Sequence, residues 1–444
     1  MRLADGPDEV HRRQVAPPSS PGTPTEDRPV VILLLLAHLV VALVCHAAGR
    51  RSARWALPVA AVVPAVTFGW LISESSAALR GHGPSRTITW VAELGLTISL
   101  HLDGFGLLMG LVVSGIGTLV LMYSVSYFGP RDDLGRLAGL LVGFAGAMLG
   151  IVWADGLFTL FLFWELTSVT SFLLIGFEDH SATARAAAQR AFLVTAFGGL
   201  ALLGGLILLG IEGDTTSISG LLADPPTGTV VSFALVLVLV GAFTKSAQFP
   251  FHFWLPGAMA APTPVSAYLH SATMVKAGLV VVARFAPVFA PVGPWRWLVV
   301  CAGLGSLGIG GFRAMRQQDA KLALAHGTVS QLGLMMVLLG LGTPATTYAG
   351  VAMLVGHALF KAALFLSVGI VDHAAGTRDM RRLRGVIGAL PVTAGVVIAA
   401  CASMAAIPRR SASWPRRRPW TDCSPPTSGR WGWWRWRASW LVRC

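Results

Sequence analysis

Four lysines stand against thirty arginines in this 444-residue chain, and the two residue types are not used alike. Lys245, Lys276 and Lys361 fall inside long apolar runs, and Lys321 sits at the entrance of another, whereas the arginines gather in short polar loops. The division has a chemical reading. A lysine gives up its proton readily when desolvated, while a guanidinium stays charged at any working pH. One acid accompanies the lysines: Glu165, near the middle of "LFTLFLFWELTSVTSFLLIGF". A charge at the centre of a membrane helix costs about 2.5–3.5 kcal/mol on insertion scales, and residues kept there commonly line a pathway. An ammonium about 4 Å from a carboxylate gains about 4 kcal/mol at an effective dielectric constant of about 20. Moving Glu165 toward or away from Lys245 would then change the lysine's proton affinity roughly a thousandfold. Such a toggle suits a proton relay. A static Glu–Lys pair that only joins two helices is the competing reading.

The stretch "GAFTKSAQFPFHFWLP" (241–256) places Lys245 just ahead of two prolines. Pro250 lacks an N–H and its ring clashes with the carbonyl of Ser246; Pro256 does the same to His252, and Pro262 and Pro264 follow. The helix is predicted to break inside the membrane, leaving free carbonyls beside Lys245, where the negative end of a half-helix stabilises a cation. Irregular backbone at that depth is tolerated where it lines a wet cavity. The aromatics of "FHFWLP" also fit a plain helix end at the surface.

Histidines supply the remaining chemistry. His270 and Lys276 are six apart, about 240° of helical rotation, so they share no face but reach one polar axis through Ser271 and Thr273. His357 and Lys361 are four apart and do share a face. A lone histidine on an apolar face is usually a satisfied core residue; two beside buried lysines point to a relay. His326 carries a weaker signal, and Lys321 fits a topology charge. The candidate set is Glu165, Lys245, His270, Lys276, His357 and Lys361.

These residues need a scaffold. With 54% hydrophobic and 12% charged side chains, the chain departs from soluble proteins, where about a quarter of residues are charged. Apolar runs at 30–48, 55–73, 104–123, 137–153, 157–177, 191–211, 230–247, 264–286, 296–313, 322–341, 347–370 and 388–407 predict about twelve membrane helices. The fold class is an all-α polytopic membrane bundle, since lipid offers backbone polar groups no other partner. Residues 1–29 are polar, Pro-rich and read as disordered; 30–103 hold two helices and a β-hairpin; 104–407 form the helical core. The hairpin follows from "ELGLTISLHLD", where Leu94, Leu96, Ile98, Leu100 and Leu102 alternate with a period of two. Arginines in the loops after the first, third, fifth, ninth and eleventh runs put those loops in the cytoplasm and both chain ends outside.

Residues 408–444 change character, with nine arginines, one aspartate and seven of the fifteen tryptophans. They supply +8 of the net charge of +13, so the basic balance is no sign of nucleic-acid binding. The segment reads as an out-of-frame tail on a truncated gene; an Arg/Trp segment lying on lipid is the alternative. Five scattered cysteines lack metal or disulfide spacing, and no nucleotide, haem or iron–sulfur motif occurs, so no cofactor is expected.

"FWELTSVTSFLLIG", "TKSAQFPFHFWLPGAMAAPTPVSAYLHSATMVKAG", "LAHGTVSQLG" and "HALFKAALFLSVGIVDHAAGTRDMRRL" resemble the antiporter-like subunits shared by respiratory complex I and the Mrp multisubunit cation/proton antiporters, over about residues 95–407. The last motif is nearer the large A subunit of the Mrp system. The resemblance implies a fourteen-helix core with two inverted five-helix repeats, each with a broken helix. It assigns the helix-five glutamate to Glu165, the broken-helix lysine to Lys245, and the central relay to His270, Lys276, His357 and Lys361. It implies partner membrane subunits, protons and Na⁺ or K⁺ as cargo, and a place in the cell membrane. Beyond "CASMAAIP" the family's second broken helix is replaced by the Arg/Trp tail. Three functions stay open: an antiporter subunit, a proton-pumping subunit of an NADH or ferredoxin:quinone oxidoreductase, and an inactive truncated fragment.

Overall fold

The computed structural model describes residues 29–48, 55–91, 93, 96–129 and 133–405. The segment up to residue 28, the "RRSAR" loop, Leu94, Arg131 and the tail from residue 408 lie outside the described residues.

Helices α1 (Val30–Ala48) and α2 (Ala56–Leu79) lead into an antiparallel hairpin of β1 (Ser85–Val91) and β2 (Leu96–His101). There follow α3 (Gly104–Tyr127), α4 (Leu134–Trp153), α5 (Leu157–Ile175), α6 (Ala182–Glu212), the short α7 (Ile218–Ala223) and α8 (Thr229–Lys245). An irregular passage containing α9 (Trp254–Gly257) joins α8 to α10 (Thr263–Ser271) and α11 (Met274–Phe289). Then come α12 (Trp295–Met315), α13 (Ala320–Gly340), α14 (Pro344–Ala375), α15 (Val386–Ala389) and α16 (Pro391–Met404). Among the described residues ten helical segments are long and apolar enough to cross a membrane, and α8 and α16 are shorter apolar helices. Together they account for the twelve expected runs.

Short polar residues set the helix starts by accepting the otherwise unbonded first N–H groups. Asp103 accepts from Gly106 N, Asp133 from Arg136 N, Ser181 from Ala184 N and Asp319 from Leu322 N. The Ser181 cap corrects the sixth run, expected from 191. The helix begins at Ala182, so Arg185 and Arg190 lie on its first turns rather than in a loop. A second correction concerns the run 264–286, which is not one helix: α10 stops at Ser271 and α11 starts at Met274.

In the hairpin Ile88 pairs with Ile98 and Arg86 with Leu100, while Leu100 and Leu102 are buried. Leu100 also bridges to Ala154, and Gly156 to Ser217, so β2, the α4–α5 corner and the segment before α7 are stitched together at one end of the bundle. Asp155 completes that stitch by accepting from Ser217 Oγ and Ser219 N. The opposite end is held by polar loops. Arg136 pairs with Asp179 at 3.1 Å and Asp319 bridges to Asp379. Hydrogen bonding from the Arg136 guanidinium holds the Asp179 carboxyl below its usual range. Of the most apolar stretches, those of α4 and α10–α11 are 83% buried and those of α1 and α12 28%. The interrupted helix pair therefore runs through the middle, and α1 and α12 are the more exposed helices at the periphery.

Candidate functional site

Lys245 is the last residue of α8 and fully buried. The helix stops there, five residues ahead of Pro250, because Ala247 takes a left-handed turn (φ 49°) that residues with side chains seldom adopt. The carbonyls freed by the break do not meet the lysine. Ala242 O accepts from Ser246 N, Phe243 O from Gln248 N at 2.8 Å, and Thr244 O from Trp254 Nε1 at 2.9 Å. Local amides and one indole thus take the carbonyls that were expected beside the ammonium. Lys245 Nζ instead crosses to α5, donating to Trp164 O at 3.0 Å and Ser168 Oγ at 2.7 Å, with the Trp164 ring 5.0 Å away. Ser168 escaped the sequence reading, since a serine in a helix usually bonds its own backbone; it does that too, donating to Trp164 O.

Glu165 lies on α5 next to this pocket, partly exposed, and forms no ion pair within 4.0 Å of Lys245. Its Oε1 is buried, has no hydrogen-bond partner among the described residues, and rests against α6 at Gly199. A Cβ on Gly199 would come within 1.9 Å of that oxygen, and one on Gly198 within 1.7 Å of Thr244 Oγ1. The doublet is a site feature the sequence reading missed. Its signal was two glycines inside an apolar helix, where they cost helix stability and mark close approach.

Between His270 and Lys276 the backbone leaves the helix at Thr273 (φ −129°, ψ −99°). Two hydroxyls hold the break: Ser271 Oγ donates to Ala267 O, and Thr273 Oγ1 to Tyr268 O at 2.8 Å. The rotation expected of a continuous helix therefore does not apply. No hydrogen bond joins His270 to Lys276 among the described residues. His270 is fully buried, neither ring nitrogen has a partner, and the Trp254 and Phe365 rings lie 6.4 Å away.

Lys276 and His357 are brought together. Lys276 Nζ lies 3.2 Å from His357 Nδ1 across the α11–α14 contact, and His357 Nε2 is buried without a partner. Lys361, one turn beyond His357, points elsewhere and donates to Leu324 O of α13 at 3.1 Å. Lys321 is only 1% exposed and donates to Ala261 O in the irregular passage, which corrects its reading as a surface topology charge. His326 is buried with Nδ1 unpartnered. Among the described residues no cluster of three or more His, Cys, Asp or Glu could hold a metal.

Residues 154–415, which include every one of these groups, match the family described as "NADH:quinone oxidoreductase/Mrp antiporter, TM". The chain belongs to that family. Residues 88–136 also match "NADH-Ubiquinone oxidoreductase (complex I), chain 5 N-terminus". Among curated relatives, the Na(+)/H(+) antiporter subunit A1 of Staphylococcus aureus strains JH9 and Newman is 42% identical over 395 residues, covering 85% of this chain and 49% of the relative. The chain spans about half the length of the curated relatives it matches. Among solved structures, the Mrp complex from Dietzia sp. DQ12-45-1b shares the fold with a TM-score of 0.80 and 38% identity, over 85% of this chain and 42% of that one. An archaeal membrane-bound sulfane sulfur reductase has the same fold at 22% identity (TM-score 0.76, covering 86% of this chain and 79% of that one). The chains of the Mrp complex and of the sulfane sulfur reductase thus share this helical frame.

Proposed function

We propose that this chain is the A-type subunit of a multisubunit Na⁺ or K⁺/proton antiporter, and that Glu165, Lys245, His270, Lys276, His357 and Lys361 pass protons through it. One observation carries the reading. Among the described residues none of the four buried lysines has an ion-pair partner within 4.0 Å; Lys245, Lys321 and Lys361 meet carbonyl or hydroxyl oxygens, and Lys276 meets His357 Nδ1. A static Glu–Lys strut needs direct contact between the charges, so the arrangement favours the toggle. The Lys245 pocket fits both protonation states. An ammonium has three N–H donors, two of which bond Trp164 O and Ser168 Oγ; the neutral amine keeps two, so a proton can leave without orphaning either acceptor. Lys276 and His357 share the next exchangeable proton directly, one donating while the other accepts. Among the described residues the buried nitrogens of His270, Nε2 of His357 and Oε1 of Glu165 have no hydrogen-bond partner, and such atoms are ordinarily met by water.

The identity to an antiporter A1 subunit supports an ion transporter over an oxidoreductase subunit, and a relative named as a subunit implies further subunits as partners. We place the arginine-bearing loop end in the cytoplasm and the hairpin end outside. In the complete complex, Lys245→Ala or Glu165→Ala should abolish Na⁺- or K⁺-driven pH change in everted vesicles at normal protein levels. Unaltered exchange in either variant rejects the relay.

A further inference from the structure

A second buried charge cluster lies at the hairpin end, outside the lysine–histidine set. Arg284 of α11 and Asp103, ahead of α3, are 7% and 8% exposed in their side chains. Arg284 Nη1 lies 3.3 Å from Asp103 Oδ2 and Nη2 3.4 Å from Oδ1, while Nη2 also donates to Val152 O at 2.6 Å. The same Asp103 Oδ1 caps α3 by accepting from Gly106 N at 2.6 Å. Gly106 permits this convergence: a Cβ there would fall 2.9 Å from Asp103 Oδ1 and 3.0 Å from Val152 O. Trp153 closes the cluster by donating to Gly106 O at 3.3 Å, with Trp70 packed edge-on against it at 6.0 Å. Three helices, α3, α4 and α11, meet at one point.

Arg284 stands eight residues beyond Lys276 on the same helix, about 12 Å along its axis. The two cations are chemically unlike. Lysine can hand a proton on, whereas a guanidinium keeps its own, and a fixed positive charge in a narrow path opposes a proton or metal cation approaching it. Burial of an unpaired guanidinium would be prohibitive, and Asp103 supplies the compensating charge.

We propose that the Arg284–Asp103–Val152 clasp is a seal that closes the hairpin end of the α10–α11 axis to protons. The inference rests on the relay reading for what is sealed, but it is measured apart from exchange, as the passive collapse of a pH gradient imposed on vesicles carrying the complete complex without a Na⁺ or K⁺ gradient. Asp103→Asn keeps an oxygen that caps α3 and removes the charge; Arg284→Gln removes the other charge. The double variant leaves no charge unpaired and keeps polar side chains in both places, so it is the one expected to assemble normally. Collapse should be several-fold faster in the double variant than in the wild type. A double variant assembled at normal levels and as tight as wild type overturns the seal, because a clasp that only ties helices together predicts that result. Adding Lys276→Ala separates the two readings. If the leak vanishes, it ran through the relay; if it persists, the seal stands and the relay loses its support.

Discussion

Glu165 shows how one side chain's role depends on a neighbour that carries no chemistry. Its carboxylate is parked against α6, and only a glycine at position 199 leaves room for it. Gly199→Ala should therefore push the end of the Glu165 side chain out of place at little cost to the fold, because that end is free to swing, and depress exchange about as far as Glu165→Ala does. Gly204→Ala is the matched control, since its nearest neighbour would be an ordinary contact at 3.6 Å. The measurement is cation-driven pH change in everted vesicles, normalised to assembled complex. If Gly199→Ala performs like Gly204→Ala, the carboxylate has no fixed seat. At this scale the sequence was a partial guide. The buried lysines stood out because an ionisable residue in an apolar run has few reasons to be there. What each one touches was hidden. Trp164 O, Ala261 O and Leu324 O are backbone atoms, which leave no trace in side-chain identity, and Lys321 looked like a loop charge because the charged "RAMRQQDAK" text runs straight into α13.

The two helix interruptions differ in how far they could be read ahead. Prolines at 250, 256, 262 and 264 announced the first, because proline cannot continue a helix. The second, at Ala272–Thr273, has neither proline nor glycine; serine and threonine hydroxyls take the carbonyls there, a substitution that sequence periodicity does not register. Loop elements carry their own electrostatics. Asp379, whose backbone bridges to Asp319 and so joins the loop after α14 to the start of α13, accepts from Arg381 through both carboxylate oxygens at 3.0 and 2.7 Å. That contact, aided by the Arg381 amide and by the nearby Arg382, pulls its carboxyl down to about 2. A depressed carboxyl contributes stability that is complete above its ordinary range and is lost as pH falls through about 2. At about pH 3 the wild-type clasp should accordingly hold, while Arg381→Ala, with its carboxyl returned toward the ordinary range near 4, should loosen. Pepsin cleavage around Leu383 in the detergent-solubilised protein reports the difference. Equal cleavage of both forms would show that the guanidinium does not govern the loop.

For the whole molecule, the apolar runs fixed the number of crossings but could not say which helices meet, because lipid-facing and core-facing helices are equally apolar. α4 and α12 are similarly apolar as text, yet the most apolar stretch of one is 83% buried and that of the other 28%. Orientation is the global property that the distribution of arginines addresses. Among the described residues Arg136, Arg185, Arg190, Arg313, Arg316, Arg378, Arg381, Arg382 and Arg384 belong to one end, against Arg80, Arg86, Arg296 and the Asp103-paired Arg284 at the hairpin end. The proposed orientation rests on that excess, since Lys and Arg near helix termini favour the cytoplasmic side and acidic residues weigh little. In a background with the native cysteines replaced by serine, Thr89→Cys on the hairpin should react with a membrane-impermeant maleimide in intact cells. Arg382→Cys should react only in everted vesicles. Both positions are exposed, so access to the reagent is set by the membrane alone. The reverse pattern would invert the molecule: Lys321 and Ala261 would then lie toward the outside, the Arg284–Asp103 clasp toward the cytoplasm, and a proton would have to enter the lysine–histidine path from the opposite face.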